Sequence, residues 1–372
     1  MSIVFVCLTL GGGGAERVIQ TLSSKLVKLG FRVTIICLEN SDPTYNYPPE
    51  VKIVKLKTSV LLKGFGKFIG IPFQALELAL FLRRNKNCSV MSFLVRANFT
   101  LILSSLFSKR KTIISERNHS QTQYENKGFR NLIFRNLIGV LYRKCDVIVP
   151  ISYGIEDSLI NYFGVNGPLY KTIYNPQDIN RIRSIDVVSD NLVSSNCFNY
   201  VTAGRLIAQK DHATLIRSFK NVINTMPKSM LYILGDGPLK SDLTRLITTL
   251  GLEESVRLVG FKENAFDYFK KSDCFVFSSK FEGFGNVLVE AMACGLPIVS
   301  TDCPSGPSEI LSDGKFGFLS PVGNVEKLSD NMISVQRKNN AKIYSELSAK
   351  RCMDFDVDKV FSQYLEVLEV DL

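Results

Sequence analysis

The stretch Phe281-Glu-Gly-Phe-Gly-Asn-Val-Leu-Val-Glu-Ala-Met-Ala-Cys-Gly-Leu-Pro-Ile-Val299 decides how the chain is read. Before it, Asp273–Phe277 is an apolar run of strand length. Asn286 to Cys294 reads as a helix, closed by Gly295 and Pro297, the usual residues just past a helix end. Leu296–Thr301 is apolar again, so strand, loop, helix and strand form one unit of a parallel sheet. Such sheets bind ligands outside the carboxyl ends of their strands, beside helix N-termini that favour anions. Glu282 stands in that loop and Glu290 on the following helix. Gly283 and Gly285 flank Phe284 and let the backbone, up to Asn286, come close to a bound molecule. Two carboxylates here suit the hydroxyls of a sugar or ribose. They suit a helix cap and a solvated helix face as well.

The chain's 372 residues make room for two domains, and 45% hydrophobic with 22% charged residues is a globular composition. Nine cysteines without a Cys-x-x-Cys pair point to reduced thiols in a cytoplasmic protein, not to a disulfide framework. Two histidines, His119 and His212, leave little material for a metal centre. Met1 leads straight into the strand Ile3–Leu8, so no signal peptide is expected. Ile71–Leu82 and Phe99–Phe107 fall short of the roughly 20 residues that span a bilayer.

Charge is unevenly distributed. Through residue 199 there are 25 basic and 13 acidic residues, an excess of +12, while the remainder carries −2. A one-sided basic excess points to nucleic acid, anionic lipid or phosphate-bearing substrates. No nucleic-acid motif accompanies it, so an anionic membrane surface, bound peripherally from the cytoplasmic side, is the expected partner. Lys63, Lys67, Arg83 and Arg84, set among apolar residues 60–87, are the candidate acceptor- and membrane-facing cations. A core-packed helix with solvated ends has the same pattern.

Residues 1–178 form the expected first domain. Strand Ile3–Leu8, the turn Thr9–Gly14, a helix Ala15–Leu29 and strand Arg32–Leu38 make a βαβ unit with a glycine-rich first turn that includes Gly13 and Gly14. A dinucleotide fingerprint would need a third glycine where Glu16 stands, although Glu39 could supply its acid. Thr112–Ser120 is a strand running into a polar loop that ends in His119, at a ligand-binding position for this kind of sheet. Residues 179–198 are polar with little periodicity and read as a linker.

Residues 199–352 repeat the alternation of strands and helices, and 353–372 form a final helix expected to pack back on the first domain. After strand Tyr200–Ala203, Arg205 and Lys210 stand five residues apart in a loop that leads into a helix. Arginine binds phosphate through two parallel hydrogen bonds and lysine binds it as a point charge. Asp236 lies in the Gly-Asp-Gly turn after the strand Met230–Leu234. Ser305-Gly306-Pro307 is a helix start, with Glu309 in its first turn.

Glu282 and Glu290, the Phe-Glu-Gly-Phe-Gly run and the Glu-Ala-Met-Ala-Cys-Gly-Leu-Pro-Ile-Val tail together resemble the retaining glycosyltransferases of family four. The resemblance covers essentially the whole chain. It implies an α/β architecture of the GT-B type, two Rossmann-like domains facing a central cleft, with acceptor on the first and donor on the second. It further implies that Arg205 and Lys210 hold the donor diphosphate. Asp236 would lie near the base, Glu290 at the ribose and Glu282 at the sugar hydroxyls. Gly13 and Gly14 would lie near the phosphates, and His119 would face the donor sugar. A metal-independent hexosyl- or N-acetylhexosaminyltransferase is thereby implied, using a UDP-sugar and a polyprenyl-diphosphate-linked acceptor in O-antigen or capsule assembly. A nucleotide-sugar epimerase of the same architecture and a non-catalytic glycan- or membrane-binding module are the alternatives. Asp354-x-Asp356 matches a metal-binding pattern of another glycosyltransferase class, but it precedes a helix, where capping explains it.

Overall fold

The structure is a computed structural model that describes residues 2–58, 70–124, 128–187, 192–337 and 339–370. The chain divides into two compact units, residues 1–176 with 358–372, and residues 177–357.

In unit 1 the strands are β1 (Ser2–Cys7), β2 (Arg32–Cys37), β3 (Lys52–Lys55), β4 (Cys88–Phe93), β5 (Ile113–Glu116), β6 (Val147–Pro150) and β7 (Leu169–Tyr170). They form a seven-stranded parallel sheet in the order β3-β2-β1-β4-β5-β6-β7. The inner strands are buried along nearly their whole length, which is why they read as continuous apolar runs. The helices of this unit are α1 (Gly14–Lys28), α2 (Ile71–Arg84), α3 (Val95–Ser108), α4 (Ser120–Tyr124), α5 (Phe129–Leu141) and α6 (Tyr153–Asp157).

The connection β1 to β2 runs one way across the sheet and β3 to β4 the other. With right-handed crossovers, α2, α3 and α5 therefore cover the face opposite α1. The α1 face is completed from the far end of the chain. Val360, Phe361, Tyr364 and Leu365 join Val18, Ile19, Leu22 and Leu26 in one core. Lys25 pairs there with Asp358.

Unit 2 begins with α7 (Ile179–Ser184), inside the stretch expected to be linker. Ile179 and Ile182 are buried, and Arg183 donates to the Ala349 carbonyl at 2.6 Å. Strands β8 (Phe198–Ala203), β9 (Ser229–Leu234), β10 (Val256–Gly260), β11 (Cys274–Phe277), β12 (Ile298–Thr301) and β13 (Phe318–Ser320) form a parallel sheet in the order β10-β9-β8-β11-β12-β13. The helices are α8 (His212–Thr225), α9 (Lys240–Thr249), α10 (Phe266–Lys271), α11 (Asn286–Ala293), α12 (Pro307–Leu311), α13 (Val325–Gln336) and α14 (Asn340–Arg351). The last helix, α15 (Val357–Val367), carries the chain back to unit 1.

The strand order reverses between β1 and β4 in unit 1 and between β8 and β11 in unit 2. Loops leaving neighbouring strands at such a reversal diverge to opposite faces, which opens a crevice at the carboxyl edge of the sheet. The loops after β8 and β11 carry Arg205, Lys210 and Glu282.

Candidate active site

The unit 2 crevice is built by two loops that are tied to each other. Ser278 Oγ donates to the Lys210 carbonyl at 2.8 Å, and Lys280 N–H donates to the Gln209 carbonyl at 2.8 Å. Gln209 Nε2 donates to the Phe281 carbonyl at 2.9 Å, so the two loops are laced together. Gly306, at φ +97°, allows the next loop to close in: a Cβ there would lie 1.8 Å from the Phe284 carbonyl oxygen. Pro307 then starts α12 at its first turn.

This frame brings Lys210 and Glu282 together. Lys210 Nζ lies 2.5 Å from Glu282 Oε1, with side chains 18% and 11% exposed. Ser279 Oγ donates to the same carboxylate oxygen at 2.7 Å, and the lysine ammonium lies 5.3 Å from the centre of the Phe277 ring. Arg205 is exposed, and its guanidinium makes no ion pair or side-chain hydrogen bond among the described residues. The crevice loops thus carry Lys210 matched by Glu282, Lys280 matched by Asp211 at 3.8 Å, and an arginine without an ion pair among the described residues.

The neighbouring positions are ordered by the same loops. Gly285, at φ +100°, caps α11; Asn286 is its first residue and Glu290 lies half-buried on it. Gly283 is half-buried and Phe284 fully buried, its ring 5.5 Å from Phe355. Asp236 is exposed and pairs with Lys240 at 3.7 Å. His212 makes no capping bond: its ring is buried and neither nitrogen has a hydrogen-bond partner of good geometry. Burial, reinforced by Lys210, lowers it to about 4, against weaker support from the Gly204 and Arg205 backbone.

In unit 1 the glycine-rich turn carries its own anion. Thr9 Oγ1 donates to Glu16 Oε1 at 3.0 Å, and a Cβ on Gly13 would lie 2.2 Å from Glu16 Oε2. Gly14 opens α1. Glu39, the acid a dinucleotide reading would require, is paired with Arg96.

His119 is buried at the end of the loop after β5. Beneath it Glu116 is fully buried, accepting from the Tyr142 hydroxyl at 2.7 Å and from the Arg117 and Asn118 N–H groups at 3.2 and 3.4 Å. Burial outweighs these donors and pushes Glu116 up to about 7. Arg117 is also buried, donating to Asn175 Oδ1 at 2.5 Å.

Lys63 and Lys67 lie outside the described residues. Arg83 donates twice to the Phe107 carbonyl, at 2.9 and 2.6 Å, closing the end of α3, and Arg84 is exposed. Asp354 is engaged by Arg351 at 2.8 Å. Among the described residues, no three His, Cys, Asp or Glu side chains gather as metal ligands. No helix among them is long and apolar enough to cross a membrane.

Ser279 was not singled out by sequence reasoning, though the signal was present: Ser278 and Ser279 are the first polar residues after an apolar strand.

The family description "Glycosyltransferase Family 4" matches residues 12–181, and "Glycosyl transferases group 1" matches residues 191–350. The chain is 33% identical over 363 residues to a curated Campylobacter jejuni enzyme, covering 97% of each chain. That enzyme is the N-acetylgalactosamine-N,N'-diacetylbacillosaminyl-diphospho-undecaprenol 4-alpha-N-acetylgalactosaminyltransferase. The chain belongs to the family-four glycosyltransferases. A second Campylobacter jejuni relative, the GalNAc-alpha-(1->4)-GalNAc-alpha-(1->3)-diNAcBac-PP-undecaprenol alpha-1,4-N-acetyl-D-galactosaminyltransferase, is 25% identical to this glycosyltransferase over 99% of the chain and 98% of its own length. Anabaena Alr3699/HepE in complex with UDP superposes with a TM-score of 0.80 at 22% identity, covering 99% of this chain and all of its own. With two parallel α/β units, the glycosyltransferase has the GT-B fold.

Proposed function

We propose that this glycosyltransferase moves an N-acetylhexosamine or hexose from a UDP-sugar to a polyprenyl-diphosphate-linked saccharide in bacterial surface-glycan assembly, retaining the anomeric configuration. The observation that carries the reading is the grouping of Arg205, Lys210 and Glu282 at the strand reversal of unit 2. The two Campylobacter jejuni relatives are named for undecaprenol-linked acceptors, and the Anabaena neighbour was solved with UDP.

In this reading residues 199–352 bind the donor and residues 1–178 the acceptor. Arg205 and Lys210 neutralise charge as it grows on the leaving diphosphate, which is preorganised electrostatics with most of its value in the transition state. They supply that charge without a divalent metal. Glu282 aligns the Lys210 ammonium and accepts from the sugar hydroxyls, Glu290 holds the ribose, and Asp236 lies near the base. Gly283, Phe284, Gly285 and Asn286 form the backbone wall of the donor site, and His119 contacts the reacting sugar. Near Gly13 and Gly14, Glu16 already occupies the space against the turn, so a phosphate there would need Glu16 to move. The acceptor hydroxyl attacks from the side on which the diphosphate departs, and its proton passes to the leaving phosphate oxygen. No covalent sugar on the protein is required.

One face of unit 1 supports the reading of membrane association. Phe73, Leu76 and Leu80 on α2, Leu106 and Phe107 on α3, and Leu132, Ile133 and Val140 on α5 are exposed. These helices cover the same side of the sheet. The only acid on them is Glu77, half-buried, which accepts from the Lys57 and Thr58 N–H groups at 2.7 and 3.1 Å. Exposed apolar side chains beside Arg84 and Arg143 suit an anionic lipid interface, peripherally bound.

Titrating UDP and GDP into the full chain with EDTA present tests the donor assignment. UDP is expected to bind more tightly, and Arg205→Ala to weaken it about 10- to 100-fold, the equivalent of one charge-assisted contact. Preference for GDP would overturn the UDP reading.

A further inference from the structure

Unit 1 has a cavity of about 390 Å³ between α5 and the turn Ser158–Tyr162, lined by Arg135, Asn136, Gly139, Arg143, Tyr162 and Phe163. Helix α5 joins β5 to β6, and α6 with this turn joins β6 to β7. Both crossovers run the same way along the sheet, so the cavity lies on the face that also carries α2 and α3.

The turn is π-helical: the Phe163 N–H donates to the Ser158 carbonyl at 3.2 Å. Such turns are rare and occur mostly at functional sites. Glycine is unfavourable inside a helix, yet Gly139 stands within α5. A Cβ there would lie 3.1 Å from the Phe163 carbonyl oxygen, so the glycine lets helix and turn approach closely.

Two arginines flank this approach. Arg135 Nη1 donates to the Tyr162 hydroxyl at 3.3 Å, and its guanidinium lies 6.0 Å from the centre of that ring. Arg143 Nε donates to the Gly164 carbonyl at 2.9 Å. Each contact uses one N–H of a guanidinium that carries several, and neither neutralises its charge. No residue lining the cavity is acidic. Paired guanidinium forks suit the oxygens of a phosphate. Leu132, Asn136 and Val140 follow at four-residue spacing along α5, so the exposed Leu132 and Val140 run past the cavity wall. A free phosphate gains nothing from that apolar edge, whereas a lipid does. With no carboxylate to receive a choline group, the cavity favours an anionic headgroup.

We propose that this cavity binds the phosphodiester of an anionic phospholipid, with Arg135 and Arg143 on its oxygens and the acyl chains along Leu132 and Val140. The inference deepens the reading of this face as membrane-bound and rests on it.

The test uses the full chain and two probes. Dihexanoyl-phosphatidylglycerol, kept below its micelle concentration, reports on the site without a bilayer, and phosphatidylglycerol vesicles report on the face. Arg135→Gln/Arg143→Gln is expected to weaken binding of the short lipid at least about tenfold. Arg135→Lys/Arg143→Lys keeps the charge but loses the forks, and should cost about threefold. Arg84→Gln/Lys144→Gln removes the same charge outside the cavity and should cost less than about twofold. If the glutamine variant does not fold, Asn136→Asp decides: it puts a carboxylate in the cavity, leaves both arginines in place, and should also cost about tenfold. Equal losses from the two charge-removing pairs overturn the site, as does a lysine variant that binds like the wild type. Inorganic phosphate binding as tightly as the short lipid overturns the lipid assignment. Short lipid bound through the cavity without vesicle binding overturns the membrane reading and leaves the site. Vesicle binding that none of the cavity variants alters does the reverse.

Discussion

Lys210 and Glu282, 72 residues apart in sequence, form a 2.5 Å ion pair at the carboxyl edge of the unit 2 sheet. Each side chain is largely withdrawn from water, so each depends on the other to offset its desolvation. The pair keeps the ammonium beside the expected position of the diphosphate, ready before substrate arrives. In the proposed reading Arg205, exposed and without an ion pair among the described residues, supplies the remaining positive charge.

Breaking this pair from one side strands a buried charge. Lys210→Ala is expected to lower the stability of unit 2 by about 3 kcal/mol and turnover by at least about a hundredfold. Adding Glu282→Gln removes the stranded carboxylate, so the double variant should regain stability while staying inactive. Urea unfolding of the three proteins measures this. Additive losses would show that the two side chains act separately.

In the proposed reading Arg205 acts on the donor and has little structural role. Arg205→Ala should leave the melting temperature within about 1 °C and lower kcat/KM about 100- to 1000-fold. Glu309→Ala, at the start of α12, should cost far less turnover. Equal losses in steady-state kinetics would end this division of roles.

Two buried groups bend the pH dependence of stability in opposite senses. Glu116 is raised from 4.5 to about 7 by burial, so the folded chain holds its proton more tightly than the unfolded one. Its contribution is present below about 4.5 and is lost as pH rises to 7, by at most ~3 kcal/mol. His212 is lowered from 6.5 to about 4, so its contribution is present above 6.5 and is lost as pH falls to 4. Glu116→Gln should therefore flatten the decline between pH 5 and 7 in unit 1, and His212→Asn the acid-side loss in unit 2. Denaturant midpoints at pH 4.5, 5.5, 6.5 and 7.5 would show each effect, and an unchanged profile would refute the corresponding assignment.

The apolar face of unit 1 predicts vesicle binding. The wild type should float with vesicles containing anionic lipid, and less so as salt rises, while neutral vesicles capture little. Changing Phe73, Leu76 and Leu80 to serine should reduce flotation about tenfold and leave donor binding intact. Equal flotation with neutral lipid would remove the electrostatic part of the account.

Much of this architecture was legible in sequence because strands buried on both faces read as uninterrupted apolar runs. Cys274–Phe277 and Ile298–Thr301 are buried throughout, and Gly295 ends α11 with φ +81°. The helix α7 was not legible, because Ile179 and Ile182 are too few to establish a period. The motifs marked Arg205, Lys210 and Glu282 as candidates, but the Lys210–Glu282 pairing depends on two loops that meet only in the folded sheet. Glu16 folded back on Gly13 was likewise invisible, since the sequence shows a permissive turn and not what fills it.

The central claim is retaining transfer from a UDP-sugar to a lipid-linked saccharide. The direct measurement is incubation of the full chain with labelled UDP- and GDP-sugars and a polyprenyl-diphosphate-saccharide, with EDTA present, followed by NMR of the new linkage. The account predicts product from a UDP-hexose or UDP-N-acetylhexosamine with the donor's α configuration kept. An inverted linkage, consumption of donor with free sugar as the only product, or product formed only when manganese is restored would contradict it.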